Sequence, residues 1–227
     1  MSEARVPFLA RLEPEDRTAL LATGRELTFD ARAALLHQDE PSSHVLIIVA
    51  GWVKVTAASP SGYEALLSLV GPGDLVGEEA TLTGRPRAAT VTALEQVRAV
   101  AVQGSRFTDF LQGHPRVSRA LLGLTADRLR HADRRRVEFA SMSVRERLAV
   151  LLLDLARTHG RRSEAGIEVA VPLTKQELAG AVGASREMTQ RLLKELRDRE
   201  IVSTGRRTMV ILRLDLLLAM AGTQANS

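Results

Sequence analysis

The stretch that decides the fold runs from Leu173 to Leu212: LTKQELAGAVGASREMTQRLLKELRDREIVSTGRRTMVIL. Thr174-Lys175-Gln176-Glu177 is a capping box, a hydroxyl cap with a glutamate three residues on, and it opens a short helix. Leu178, Ala179 and Val182 point inward, and the small Ala179 lets a second helix come close. Gly183 supplies the positive φ of a tight turn, and Ser185 caps the helix that follows. In that helix Thr189, Leu192, Leu193 and Leu196 fall at i, i+3, i+4 and i+7 and form the core face. Ser203 to Arg207, with Gly205-Arg206-Arg207 at the tip, reads as a basic hairpin. Two short helices around a glycine turn, then a hairpin, make a helix-turn-helix with a wing, which lays its second helix in the DNA major groove.

The outer face of the second helix carries Arg186, Glu187, Gln190, Arg191 and Lys194. Those side-chain types suit base edges: arginine can grip guanine O6 and N7 bidentately, and glutamate can accept from cytosine N4. Phosphate would repel Glu187, so a base-reading role accounts for it better than bulk attraction does. Arg186, Glu187, Gln190 and Arg191 are therefore the expected base readers. Thr174, Lys175, Gln176, Ser185, Lys194, Arg206 and Arg207 are the expected backbone contacts. The competing reading is an amphipathic surface helix with an i, i+4 pair such as Glu187–Arg191. Caps, turn and wing agree with one another and argue against it.

Charge points the same way. The 227 residues carry 31 Lys and Arg against 27 Asp and Glu, a net charge of +4. Residues 1–142 hold 17 of each sign, so the whole excess lies in residues 143–227. A basic module joined to a neutral one suits a polyanion partner. With no cysteine, disulfides, thiolate nucleophiles, zinc–thiolate sites and cysteine-held iron–sulfur clusters are excluded. His37, His44, His114, His131 and His159 leave a haem sensor as an alternative, but a lone histidine is far more often a surface or packing residue, so no metal is expected. No 18-residue apolar run and no basic-then-apolar leader is present, so neither a membrane span nor a secretory signal is expected, and a cytoplasmic protein fits. There is no Gly-x-Ser-x-Gly elbow, no His-Glu-x-x-His and no phosphate loop, so the expectation is not an enzyme.

Upstream, the texture predicts helix over residues 7–23 and then short β-rich runs from Leu27 to Val102 (VLIIVAGWVKV, EALLSLV, ATVTAL, VRAVAV), broken by glycine and proline turns. That spacing argues a small antiparallel barrel or roll. A short helix ending near Gly113 is followed by a long one, roughly Arg116 to Phe139, whose apolar pattern covers about two heptads and supports a dimer seam. A break with a hinge is expected at Ala140–Ser143, then a capped helix from Ser143, a loop GRRSEAG and a strand IEVAVPL. The expected class is α+β: a jelly-roll-like β-roll over residues 1–115, a connecting and dimerisation helix with hinge over 116–142, and a winged helix-turn-helix over 143–227.

These residues carry a family resemblance. The chain resembles the cyclic-AMP receptor protein / FNR family of bacterial transcription factors over nearly its full length. The match lies in Ser185-Arg186-Glu187 with Arg191, in the long helix, and in Gly71-Pro72-Gly73-Asp74, Gly77-Glu78 and Arg87-Ala88-Ala89-Thr90. The resemblance implies a cyclic-nucleotide-binding β-roll and a homodimer on double-stranded DNA at a palindromic, TGTGA-like site, with RNA polymerase as a further partner. It implies cyclic AMP or a related cyclic nucleotide as effector, with Glu78 on the ribose, Arg87 on the phosphate, and Gly77, Ala88, Arg128 and Asp133 completing the site. Two positions depart from the family. Ala88 replaces a hydroxyl-bearing residue, and Ala132-Asp133 replaces the pair that would face adenine. A second reading therefore keeps DNA binding but has a vestigial pocket, the regulator being constitutive or controlled by another ligand or a protein partner.

Overall fold

The computed structural model describes residues 6–41, 43–169, 173–205 and 208–222. A 3-10 turn (Phe8–Arg11) and α1 (Pro14–Ala22) lead into β1 (Arg25–Phe29), β2 (Ala34–Leu36), β3 (His44–Ala50), β4 (Val53–Ala58), β5 (Glu64–Val70) and β6 (Leu75–Val76). A one-and-a-half-turn helix, α2 (Glu78–Thr83), precedes β7 (Thr90–Ala93) and β8 (Val97–Gln103). Then come α3 (Gly104–Gly113), α4 (Pro115–Ser141) and α5 (Val144–His159). The remainder is β9 (Gly160–Ser163), β10 (Gly166–Val169), α6 (Lys175–Val182), α7 (Arg186–Asp198), β11 (Val202–Thr204), β12 (Met209–Ile211) and α8 (Leu214–Met220). The chain divides into two compact units inside α4, between His131 and Ala132.

In the first unit, two antiparallel sheets of four strands form the roll, in the orders β1-β8-β3-β6 and β2-β7-β4-β5. Strand alternation explains why. On β3, Leu46 and Ile48 face the second sheet and join Leu36, Val53, Val70, Val91 and Val97 in the inter-sheet core. Val45 and Ile47 face the other way, with Val100 and Val102 of β8, and meet Phe8, Leu20, Phe107, Phe110, Val117, Leu121 and Leu124 from the helices. Both faces of β3 are thus buried, which is why its sequence is nearly unbroken aliphatic. The 3-10 turn is anchored on the Gly71-Pro72-Gly73-Asp74 corner: Leu9 N–H donates to the Gly73 carbonyl at 2.7 Å, and Phe8 N–H to the buried Asp74 carboxylate at 3.0 Å. Arg11 then reaches Asp127 on α4 at 2.6 Å.

Some local expectations shift. α4 runs past Phe139 through Ser141, and Met142 N–H still bonds the Glu138 carbonyl at 2.9 Å, so no break falls at Ala140-Ser141. The segment GRRSEAG is mostly strand: Gly160–Ser163 pairs with Gly166–Val169 through a two-residue turn at Glu164-Ala165. The run IEVAVPL is strand only to Val169, and residues 170–172 lie outside the described residues. α2 and α8 were not anticipated, because each is too short for a periodic signal. The second unit holds one antiparallel sheet, β11-β12-β10-β9, beside α5 to α8. Its core includes Leu148, Leu152, Leu178, Ala179, Leu193, Leu196, Ile201, Ile211 and Leu217, all less than 5% exposed.

Candidate nucleic-acid interface and effector site

The DNA-reading element is built by local chemistry. Thr174 Oγ1 accepts from Glu177 N–H at 3.2 Å while the Glu177 carboxylate accepts from Thr174 N–H at 2.6 Å, the reciprocal box the spacing demanded. The N–H groups of Lys175 and Gln176 stand outside that box, and Thr174, Lys175 and Gln176 are all exposed. Gly183 has φ 63° and ψ 48°, left-handed backbone that a side chain at this place would strain. Ser185 Oγ then accepts from Met188 N–H at 3.1 Å and starts α7.

On α7, Thr189, Leu192, Leu193 and Leu196 are buried. Thr189, fully buried, donates its hydroxyl to the Ser185 carbonyl at 3.0 Å, so a polar residue at an apolar position is satisfied within one helical turn. Arg186, Glu187, Gln190, Arg191 and Lys194 are all exposed on the opposite face. The Glu187 carboxyl is held below its ordinary range by its own backbone N–H and the Ser185 hydroxyl, which favours its ionised form. Arg191 Nη2 lies 3.0 Å from Met188 Sδ. The wing is the β11–β12 hairpin, with Thr204 opposite Met209 and Gly205 N–H bonded to the Thr208 carbonyl at 2.8 Å. Arg206 and Arg207, expected at its tip, lie outside the described residues.

A cluster that local spacing did not reveal braces the turn. The Phe139 ring near the end of α4 lies against Gly183, where an added Cβ would come within 2.3 Å of it. The guanidinium of Arg147 sits 4.7 Å from the ring centroid and that of Arg135 5.9 Å. Such cation–π contacts contribute about 0.5–2 kcal/mol each, more as water is excluded. Arg135 donates to the Ala181 carbonyl. Arg147 Nε donates to the Val182 carbonyl at 2.9 Å. Two cations thus complete the last carbonyls of α6, where the helix dipole is negative.

In the roll, four of the residues assigned to a nucleotide come together. β6 ends at Val76, and Gly77, whose φ is 87°, turns the chain into α2. Arg87 is 3% exposed, and its Nη1 and Nη2 donate to the carbonyls of Gly77 and His44, each at 2.6 Å. Burial lowers its pKa from the ordinary arginine value and the nearby Glu78 charge opposes that shift. The buried Glu78 carboxylate is paired with Arg128 of α4, which also donates to the Leu75 carbonyl at 2.7 Å. Gly77, Glu78, Arg87 and Arg128 therefore form one polar cluster. Ala88 is exposed beside it in sequence and offers no side-chain donor. Asp133 belongs to the second unit, is exposed, and faces Arg136 at 3.7 Å one turn along α4. Among the described residues no cluster of His, Asp or Glu could hold a metal ion, and no helix is long and apolar enough to cross a membrane.

Known proteins share both halves. Residues 26–114 match the cyclic nucleotide-binding domain, and residues 146–220 match the Crp-like helix-turn-helix domain. The chain is 31% identical over 196 residues to the CRP-like cAMP-activated global transcriptional regulator of Mycobacterium tuberculosis (strain ATCC 25618 / H37Rv), covering 86% of this chain and 88% of that one. It is 29% identical over 185 residues to the cAMP-activated global transcriptional regulator CRP of Salmonella typhimurium, covering 81% and 87%. The c-di-GMP responsive global regulator CLP of Xanthomonas campestris shares the fold, with a TM-score of 0.78 at 23% identity over 88% of this chain and 99% of that one. The chain belongs to the Crp/Fnr family and is a DNA-binding, CRP-like transcriptional regulator, with a cyclic nucleotide-binding domain ahead of its helix-turn-helix.

Proposed function

We propose that the protein acts as a homodimer on a palindromic, TGTGA-like site and is controlled by a cyclic nucleotide in the roll. The observation that carries this reading is the outer face of α7: Arg186, Glu187, Gln190 and Arg191 stand exposed together on a helix whose other face is buried. Arg186, Glu187 and Arg191 would read base edges, with Gln190 suited to adenine. Thr174, Lys175, Gln176, Ser185 and Lys194, with Arg206 and Arg207 of the wing, would hold the phosphates. A second copy is supported by α4, where Leu122, Leu129 and Val137 recur at intervals of seven and eight residues and are 71%, 63% and 63% exposed. Two recognition helices so paired would need to reach successive major grooves, ~34 Å apart. RNA polymerase is the partner through which a bound dimer would act on transcription.

For the effector, the donor set fits an anion with a ribose. Arg87 would take the cyclic phosphate, Glu78 the ribose hydroxyl, and Gly77 and the Ala88 N–H would approach by backbone, with Arg128 and Asp133 contributed by α4. To do so, Arg87 must exchange at least one of its two backbone carbonyls and Glu78 must share Arg128. Those existing partners, with Ala88 in place of a hydroxyl, favour a second reading in which the nucleotide site is vestigial and another ligand or a protein partner governs DNA binding. A gel shift on a TGTGA palindrome at fixed salt, with and without cyclic AMP and cyclic GMP, separates the two. Nucleotide-dependent binding is the expected result; equal binding with and without both nucleotides would establish the second reading.

A further inference from the structure

We infer that Phe139 is a positioning residue for the recognition helix, acting through the turn between α6 and α7 from outside the helix-turn-helix itself. This rests on α7 being the DNA-reading helix. The ring occupies the space that any side chain at residue 183 would need, so Gly183 and Phe139 form one complementary contact. Arg135 and Arg147 flank the ring and hold the carbonyls of Ala181 and Val182. Three consecutive residues at the end of α6 are therefore fixed from α4 and α5. Ser185 caps α7 two residues further on, so the direction in which α7 departs is set by a turn with little freedom left. Arg147 also closes the α4–α5 corner, donating to the Met142 carbonyl at 2.6 Å and to the Phe139 carbonyl at 3.4 Å. The expected hinge at Ala140–Ser143 is thus a braced corner, and a rotation of the end of α4 reaches the turn directly. Phe139 is 42% exposed, and the contact transmits displacement because Arg135 and Arg147, which flank the ring, also hold the carbonyls of the turn.

The test is a double-mutant cycle in the full chain with Phe139→Ala, Gly183→Ala and the double variant. The probe is a duplex that the wild-type protein enriches from random-sequence DNA, compared with a scrambled duplex. Each single variant is expected to lower the preference for the enriched site by about tenfold or more, comparable to one mismatched base pair, with binding to scrambled DNA within about twofold of wild type. The double variant is expected to lose at least about fivefold less than the product of the singles, since removing the ring also removes the clash that an alanine at 183 meets, while the left-handed strain there stays the same with or without the ring. Phe139→Leu, which keeps an apolar body against Gly183, should retain most of the preference, and Phe139→Val, which removes the ring, takes the place of Phe139→Ala in the cycle if that variant does not fold. Multiplicative losses, or wild-type preference in Phe139→Ala, would overturn the inference. If the wild type enriches a site unlike TGTGA, the site assignment falls and the inference stands. If it enriches no site, both fall.

Discussion

The Nη1 atom of Arg87 stands 2.6 Å from the carbonyl oxygen of Gly77, so the cation marked for an effector is already bound within its own roll. A Cβ on Gly77 would come within 2.5 Å of that nitrogen, so the pair also explains why residue 77 is glycine. The same guanidinium ties Gly77 to His44 of β3. Arg87→Gln should therefore weaken the fold as well as any nucleotide binding, by about 2–4 kcal/mol, because two buried carbonyls lose a charged donor. Arg87→Lys should rescue little, since an ammonium lacks the planar fork that spans both acceptors. Thermal unfolding of both variants without nucleotide checks this; wild-type stability in Arg87→Gln would show that the latch contributes nothing.

His44 gives the roll a pH response. Burial, and secondarily the Arg87 charge, lower its pKa from the ordinary 6.5. A depressed folded-state pKa favours the neutral ring, so this contribution is fully present above pH 6.5 and is lost as pH falls through the folded value. Denaturation midpoints measured from pH 7.5 down to 5 should fall faster in the wild type than in His44→Gln. Parallel curves would remove His44 from the account.

On DNA, base readers and phosphate holders should separate. Arg186→Ala and Arg191→Ala are each expected to cost about 1–3 kcal/mol and to relax preference at one base pair. Lys175→Ala and Lys194→Ala should weaken binding evenly across sequences and reduce the salt slope by about one unit each. Affinities over a panel of single-base variants, repeated at several salt concentrations, distinguish the two classes.

Thr189 should tolerate loss of its hydroxyl. The Ser185 carbonyl that accepts its Oγ1 also accepts its N–H at 3.0 Å. Thr189→Val therefore removes donor and demand together and should change stability by less than about 1 kcal/mol in urea unfolding. A larger loss would mean the hydroxyl orders α7.

The elements legible in the sequence are those specified by neighbours along the chain. Both capping boxes, the Gly183 turn and the two-faced α7 form from residues at most a few positions apart, and each appears where its spacing placed it. The roll was legible for a related reason, since turn residues and period-2 strands repeat at short intervals. Gly160–Ser163 escaped because glycine, two arginines and a serine carry no strand pattern; pairing with β10 makes them a strand. Phe139 escaped for the same kind of reason, since at the end of a polar helix it reads as one apolar residue among charges.

The sequence by itself determined that this protein has a roll, a long helix and a winged helix-turn-helix, and which residues face outward on its reading helix. Capping, helical period and turn chemistry are short-range, and their physics does not need the rest of the molecule. Only the tertiary structure decided what the long-range polar groups do. Arg87 is bound across 43 residues to His44, Arg128 across 50 to Glu78, Arg11 across 116 to Asp127, and Phe139 lies against Gly183. A buried charge takes whatever acceptor the packed chain brings within reach, because leaving it unpaired is costly. That choice is made by the folded core, and no spacing along the chain encodes it.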